Sequence, residues 1–290
     1  MKRVVFLGCE NSHADKFIEL IKTKEEFSDL LVTGVFSEET AEAEKLAEKY
    51  GVPVMASYDE AVGEVDGVIV TARHGGVHYK YAKPYIASGV PMFIDKPITT
   101  DTEEALTFMR ELRAAGVRIT GGSSLHSAPE VQELKNEALA EVGGKTVGGT
   151  VRAPLDPDPT YGGFWFYSQH LVEMVSEIFG RYPIAVQAFP HGMHTTVLFR
   201  YEDYTVTGLF SEKSWQYFVS RFAEKKSSAI DVTTRGAVWY PAELGLFKAL
   251  LDGEEQAISY EDFIAPVFVI DAIIRSLESG REEAVAAFTI

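Results

Sequence analysis

Short apolar runs alternate with longer stretches of helical periodicity through the first part of the chain. Residues 4–8 read as a strand, and Ser12 is placed to cap a helix running to about Lys24. Residues 31–37, 52–56 and 68–71 read as further strands. Residues 39–50, 58–63 and 78–88 read as helices, the first of them stopped by Gly51 and the last by Gly89. The apolar run around Phe93, a helix over 102–115 and a strand over 118–121 complete the series. Strands and helices alternating at this spacing predict right-handed βαβ units and a parallel, doubly wound Rossmann-type sheet.

After Gly122 the pattern changes. Residues 129–140 and the second half of 162–179 look helical, and 148–153 looks like a strand. Residues 156–159 alternate aspartate and proline, which leaves a polar loop. Strand-like alternation rich in Thr, Val, Phe and Tyr fills 184–232, and helices close the chain at 241–251 and 260–279. Strands followed by helices predict an α+β domain on a mostly antiparallel sheet. The expected domains are therefore 1–121 and 122–290, with the C-terminal helix packing back on the first.

The run Met92-Phe93-Ile94 ends in Asp95-Lys96-Pro97. Proline donates nothing to a sheet ladder, so the strand stops there. Lys96 is thereby held at the carboxyl end of a parallel strand, where open α/β sheets bind their ligands. The plainer alternative is a strand-end lysine reaching water.

Composition narrows the partners. The chain has 290 residues, 46% hydrophobic and 24% charged, as a globular protein should. No apolar run approaches the roughly 18 residues of a membrane span, and the apolar run after Lys2 and Arg3 stops too early for a signal peptide. Cys9 is the single cysteine, so no intrachain disulfide forms, which suits the cytoplasm. A net charge of −16 argues against nucleic acid, whose phosphates need a basic face. Histidines and acids are scattered without metal-ligand spacing, so no metal is expected.

The order of elements, with Val68-Ile69-Val70-Thr71, His78, Ala87-Ser88-Gly89-Val90-Pro91 and then Asp95-Lys96-Pro97, resembles the Gfo/Idh/MocA family of glucose–fructose oxidoreductase and inositol dehydrogenase. The segment from Gly122 through Pro129-Glu130-Val131 and the helix around Ile270-Asp271-Ala272 extend the resemblance over nearly the whole chain. The resemblance implies a nicotinamide-dependent oxidoreductase acting on sugars or polyols.

The family's glycine-rich phosphate loop falls on Gly8, Glu10 and His13, so only the first glycine is kept. Glu10 places a carboxylate where a pyrophosphate is expected, a repulsion of roughly 4 kcal/mol at close range if it points inward. Asn11, Ser12 and the amides of the following helix remain as phosphate donors. Ser37 stands where an acid would hold the adenine ribose, with Glu38 next. NAD is favoured over NADP, because no arginine stands near Ser37 to receive a 2′-phosphate. Thr71, Arg73 and His74, in a loop longer than the family's usual one, are expected to line the nicotinamide pocket, and Asp95 and Pro97 to fix Lys96. The family's Lys-Pro bond is often cis.

The second site is Tyr161-Gly162-Gly163-Phe164-Trp165-Phe166-Tyr167-Ser168-Gln169-His170, followed by Glu173. The resemblance implies an acid, a histidine four residues later and an acid three further on a helix. His170 and Glu173 match the last two, and Phe166 replaces the first. His170 is then expected to face Lys96 across the cleft and act as general base, with Glu173 orienting its ring. Lys96 would stabilise the alkoxide while the hydride leaves. Tyr161, Trp165 and Tyr167 offer stacking faces for a carbohydrate-like substrate, and His126 is expected at the same cleft. His78, His191 and His194 read as structural or surface residues.

Two rival readings stay open. One is a non-catalytic sugar-binding or regulatory protein, motivated by the altered loop and by Phe166. The other is a redox-assisted eliminase or deglycosidase. A homo-oligomer, dimer or tetramer, is expected through the 184–232 sheet, with Phe210, Trp215 and Phe218 near its apolar face.

Overall fold

The structure, a computed structural model, describes residues 1–232 and 239–290. They fall into two compact units, residues 1–122 with 240–260 and 290, and residues 123–239 with 261–289.

The first unit runs β1 (Lys2–Leu7), α1 (Ser12–Thr23), β2 (Leu30–Phe36), α2 (Thr40–Tyr50), β3 (Gly67–Val70), α3 (His78–Ile86), β4 (Met92–Asp95), α4 (Thr102–Ala114) and β5 (Ile119–Gly122). The strands form one parallel sheet in the order β2-β1-β3-β4-β5. β3 and β4 are apolar runs buried along their whole length and β1 is buried from Val4 on, as parallel strands between helices must be, while the edge strand β2 exposes Leu31. The strand expected at 52–56 is a single bridge between Val54 and Val35. Pro53 has no N–H to donate, and only its carbonyl and the Met55 N–H reach Val35. The helix expected at 58–63 is a series of turns over 58–64, too short to repay helix nucleation.

The second unit adds α5 (Pro129–Leu139), β6 (Thr146–Leu155), α6 (Trp165–Phe179), β7 (Ala185–His191), β8 (His194–Arg200), β9 (Thr205–Glu212), β10 (Phe218–Ala223) and β11 (Ser227–Asp231). After α7 (Trp239–Leu251) come α8 (Tyr260–Ser279) and β12 (Glu283–Ala284). The sheet order is β11-β10-β6-β9-β8-β7-β12, antiparallel except for the parallel pair β6 and β9. Its inner face packs Val151, Val186, Val197, Phe199, Val206 and Phe210 against apolar side chains of α6 and α8.

Two expectations change here. Residues 240–260, which the sequence pattern assigned to the second domain, group with the first unit, where Leu244 and Phe247 join the core of β1 and β4. The C-terminal helix α8 lies in the second unit from Glu261 onward. Of the three aromatics expected near the exposed sheet face, Phe210 is fully buried, while Trp215 is exposed with its ring against Tyr167. Phe218 is exposed, accompanied by Leu198 and Phe222.

Candidate active site

In the first unit the candidate residues gather at the carboxyl ends of the strands. The chain leaves β1 at Gly8 with φ +80°, a region glycine enters without steric cost. A Cβ on Gly8 would stand 2.4 Å from Ala72 Cβ, so the loops after β1 and β3 touch. Thr71, fully buried, ties them by donating its hydroxyl to Gly8 O at 2.7 Å. Asn11 caps α1: its Oδ1 accepts from the Ser12 N–H at 2.7 Å. Its Nδ2 donates to Asp95 Oδ2 at 2.8 Å, which binds the start of α1 to the end of β4. Ser12 itself is exposed at the positive end of the helix.

Glu10 is turned aside from the helix start. Its Oε2 accepts from Ser37 Oγ at 2.8 Å and its Oε1 from the Arg73 backbone N–H at 3.0 Å. Glu38, exposed, forms an ion pair with Lys80 at 2.8 Å. A groove of about 440 Å3 opens at this strand end, lined by Phe36, Ser37, Glu38, Val54 and Met55 among others.

His13, where the loop pattern expects a small residue, is buried and points into the unit. Its Nδ1 lies 3.1 Å from Asp95 Oδ2 and its Nε2 3.2 Å from Glu243 Oε2, on α7. Burial alone would push the imidazole down, but the two carboxylates overcome it and hold its pKa well above the ordinary value. Burial pushes Glu243 up against the pull of His13, whereas Asp95, also opposed by burial, is held low by His13 and Lys96. The cluster is a buried cation between two acids. Asp95 also accepts the Lys96 backbone N–H at 2.7 Å, and the Lys96–Pro97 bond is cis. Lys96 is 4% exposed.

The long loop after β3 supports this end of the sheet from the other side. His74 Nδ1 accepts from the Gly76 N–H at 3.0 Å, which caps a short turn. Gly75 packs on Pro97, where a Cβ would lie 2.4 Å from the Pro97 carbonyl oxygen. His78 is fully buried with Nε2 2.8 Å from Ala72 O, and burial pushes its pKa down.

In the second unit α6 presents His170, 6% exposed. The side chain that meets its Nδ1 is Ser123, with Oγ at 2.6 Å, and not Glu173 as expected. Both Glu173 oxygens accept the Ser123 backbone N–H at 3.0 Å, and the Gln169 amide donates to one of them. Glu173 thus acts on His170 by holding Ser123. Burial pushes its carboxyl up to about 8 against these donors, so it is protonated at neutral pH. A base at Nε2 needs the ring proton on Nδ1, given to Ser123 Oγ, which also accepts the Leu125 N–H at 3.2 Å.

Aromatic rings surround this imidazole. Tyr167 lies 5.2 Å from His170 by ring centroids, and Tyr217 lies 5.9 Å away. Trp215 and Phe166 flank Tyr167 at 5.3 and 4.9 Å, and Tyr161 meets Phe166 at 5.0 Å. Trp165 is half-buried against the unit's core. Trp215 and Tyr217 come from the segment before β10, outside the motif that pointed to His170. His126 is half-buried in a short turn at 124–127, where its carbonyl accepts from Gln132 at 2.5 Å. Among the described residues no three His, Cys, Asp or Glu side chains form a group that could hold a metal ion, and no helix is long and apolar enough to cross a membrane.

Residues 2–123 match the family model described as the oxidoreductase family with an NAD-binding Rossmann fold, Gfo/Idh/MocA. No curated protein sequence matches the chain. Among solved structures, GenD2 from gentamicin A biosynthesis, in complex with NAD, is similar with a TM-score of 0.85 at 20% identity, covering 99% of this chain and 97% of that one. A myo-inositol dehydrogenase from Corynebacterium glutamicum reaches 0.84 at 17% identity over 99% and 100% of the two chains. The scyllo-inositol dehydrogenase of Lactobacillus casei, with NAD(H) and scyllo-inositol bound, reaches 0.85 at 14% over the same shares. The first domain thus matches the Gfo/Idh/MocA oxidoreductase family model, and the chain shares the fold of these dehydrogenase structures over nearly its whole length.

Proposed function

We propose that the protein is an NAD(P)-dependent dehydrogenase that interconverts a secondary alcohol and a ketone on a ring polyol, sugar or glycoside. The observation that carries this reading is His170, a buried imidazole among aromatic rings with Nδ1 fixed by Ser123. The residues of the first unit fit a dinucleotide. Gly8 keeps the tight turn, α1 offers its positive end, and both bulky replacements, Glu10 and His13, are turned away from that end onto protein partners. When bound, the nicotinamide supplies the hydride acceptor.

In this mechanism His170 Nε2 takes the hydroxyl proton, and Ser123 receives the Nδ1–H bond of the resulting imidazolium. Lys96, oriented by Asp95 through its own backbone N–H, stabilises the alkoxide that loses hydride. Tyr161, Tyr167 and Trp165 face the apolar C–H surface of the ring, with Trp215 and Tyr217 extending that surface. Phe166 in place of an acid favours a substrate with an apolar face, such as a glycoside.

The test is a panel of inositols, hexoses and glycosides with NAD and NADP, followed by nicotinamide absorbance. On the substrate so found, Lys96→Ala should lower turnover about 100- to 1000-fold while cofactor affinity changes less than about threefold. His170→Ala should cost about 100- to 10,000-fold. Turnover of Lys96→Ala within about threefold of wild type would remove Lys96 from the mechanism. We further propose a homo-oligomer through the outer sheet face at Leu198, Phe218 and Phe222, which sedimentation at micromolar concentration tests.

A further inference from the structure

Building on the dinucleotide reading, we propose that Glu10 is the residue that selects NAD over NADP. It does from the loop after β1 what an acidic side chain at the end of β2 does in other dinucleotide-binding sheets. Such an acid accepts a hydrogen bond from the 2′-hydroxyl of the adenosine ribose. Here the end of β2 carries Ser37, which is short, neutral and buried.

The Glu10 carboxylate occupies that strand end although its backbone belongs elsewhere. Ser37 Oγ donates to Oε2 at 2.8 Å, and the Arg73 N–H donates to Oε1 at 3.0 Å. The Ser37 oxygen in turn accepts the Glu39 N–H at 3.1 Å, so its one proton is committed to Glu10. Two donors on two loops therefore fix both carboxylate oxygens. Each ionised oxygen keeps a lone pair, enough to accept from a ribose hydroxyl.

A 2′-phosphate offers that carboxylate no proton and adds close to two negative charges. Glu38 lies next to Ser37, and the cation that reaches it, Lys80, is paired with it at 2.8 Å. Contrary to the expectation from the sequence, an arginine does come to this strand end: the Arg73 main-chain N–H reaches the same carboxylate as Ser37. The apolar side chains of Phe36, Val54 and Met55 line the groove at the same strand end, which gives an aromatic base a surface beside the ribose position.

The experiment is calorimetric titration of the full-length protein with NADH and with NADPH, without substrate. Wild type should bind NADH at least about tenfold more tightly, the effect of one close charge contact. Glu10→Gln keeps the size of the side chain and removes its charge. It should bring the two affinities within about threefold of each other, mainly by a gain for NADPH. Adding Ser37→Asp to Glu10→Gln should restore the preference for NADH. Two results overturn the assignment while leaving the dinucleotide reading intact. They are wild-type preference for NADPH, or an unchanged ratio of the two affinities in Glu10→Gln. An unchanged ratio with both affinities raised would mean that Glu10 only repels the pyrophosphate. Binding of neither cofactor to any of the three proteins overturns the dinucleotide reading and the assignment with it.

Discussion

Lys96 and His170 stand in opposite electrostatic settings. Around Lys96 the first unit buries an ion pair and keeps it: Asp95 stays ionised and His13 carries a proton, with Glu243, whose carboxyl burial pushes up, at the other side of the ring. Around His170 the second unit buries an acid and neutralises it: Glu173 holds its proton and works through amide and hydroxyl bonds. A buried ion pair is rigid only while both members are present, because a lost partner leaves a charge without compensation. A neutral network tolerates loss more cheaply, because what remains is a hydrogen-bonding group rather than a charge.

The comparison breaks first at His13. His13→Ala leaves the Asp95 and Glu243 carboxyl groups without their shared cation, and should cost about 3–5 kcal/mol in urea unfolding. A loss under about 1 kcal/mol would show that the acids can neutralise themselves by taking up protons, and the contrast between the units would fail.

Next comes the loop that backs Lys96. Gly75→Ala drives a Cβ to within 2.4 Å of the Pro97 carbonyl oxygen, a backbone atom that cannot swing aside. The expected cost is about 1–3 kcal/mol of stability, as for other overpacked sites, with a loss of turnover as Lys96 shifts. Wild-type melting and turnover in this variant would mean that the loop yields freely and does not position Lys96.

A pH series sharpens the neutral side. A carboxyl whose pKa is higher folded than unfolded binds more protons in the folded chain. Its contribution to stability is full below the ordinary value of 4.5 and is lost as pH rises through about 8. Stability should therefore fall between those values with a slope of up to about 1.4 kcal/mol per pH unit from this group. Glu173→Gln should flatten that slope, leaving the part due to His13, whose raised value acts in the same direction from 6.5 upward. An unchanged slope in Glu173→Gln would show that Glu173 is ionised in the folded protein.

The sequence by itself determined the parallel sheet, the place of Lys96 at the end of β4 and the face of α6 that carries His170. Each follows from local period, from Pro97 ending a strand, or from residues one helical turn apart, so no distant residue is needed. Tertiary structure alone decided where the anomalous side chains go. His13 turns inward because Glu243, 230 residues away, meets its ring there. Glu10 turns sideways because Ser37 and Arg73, 27 and 63 residues on, present donors on neighbouring strand ends. Ser123 reaches His170, and Trp215 reaches Tyr167, by the same kind of closure. A side chain's direction depends on which partner satisfies its charge or proton, and in this protein those partners lie beyond the range of any local pattern.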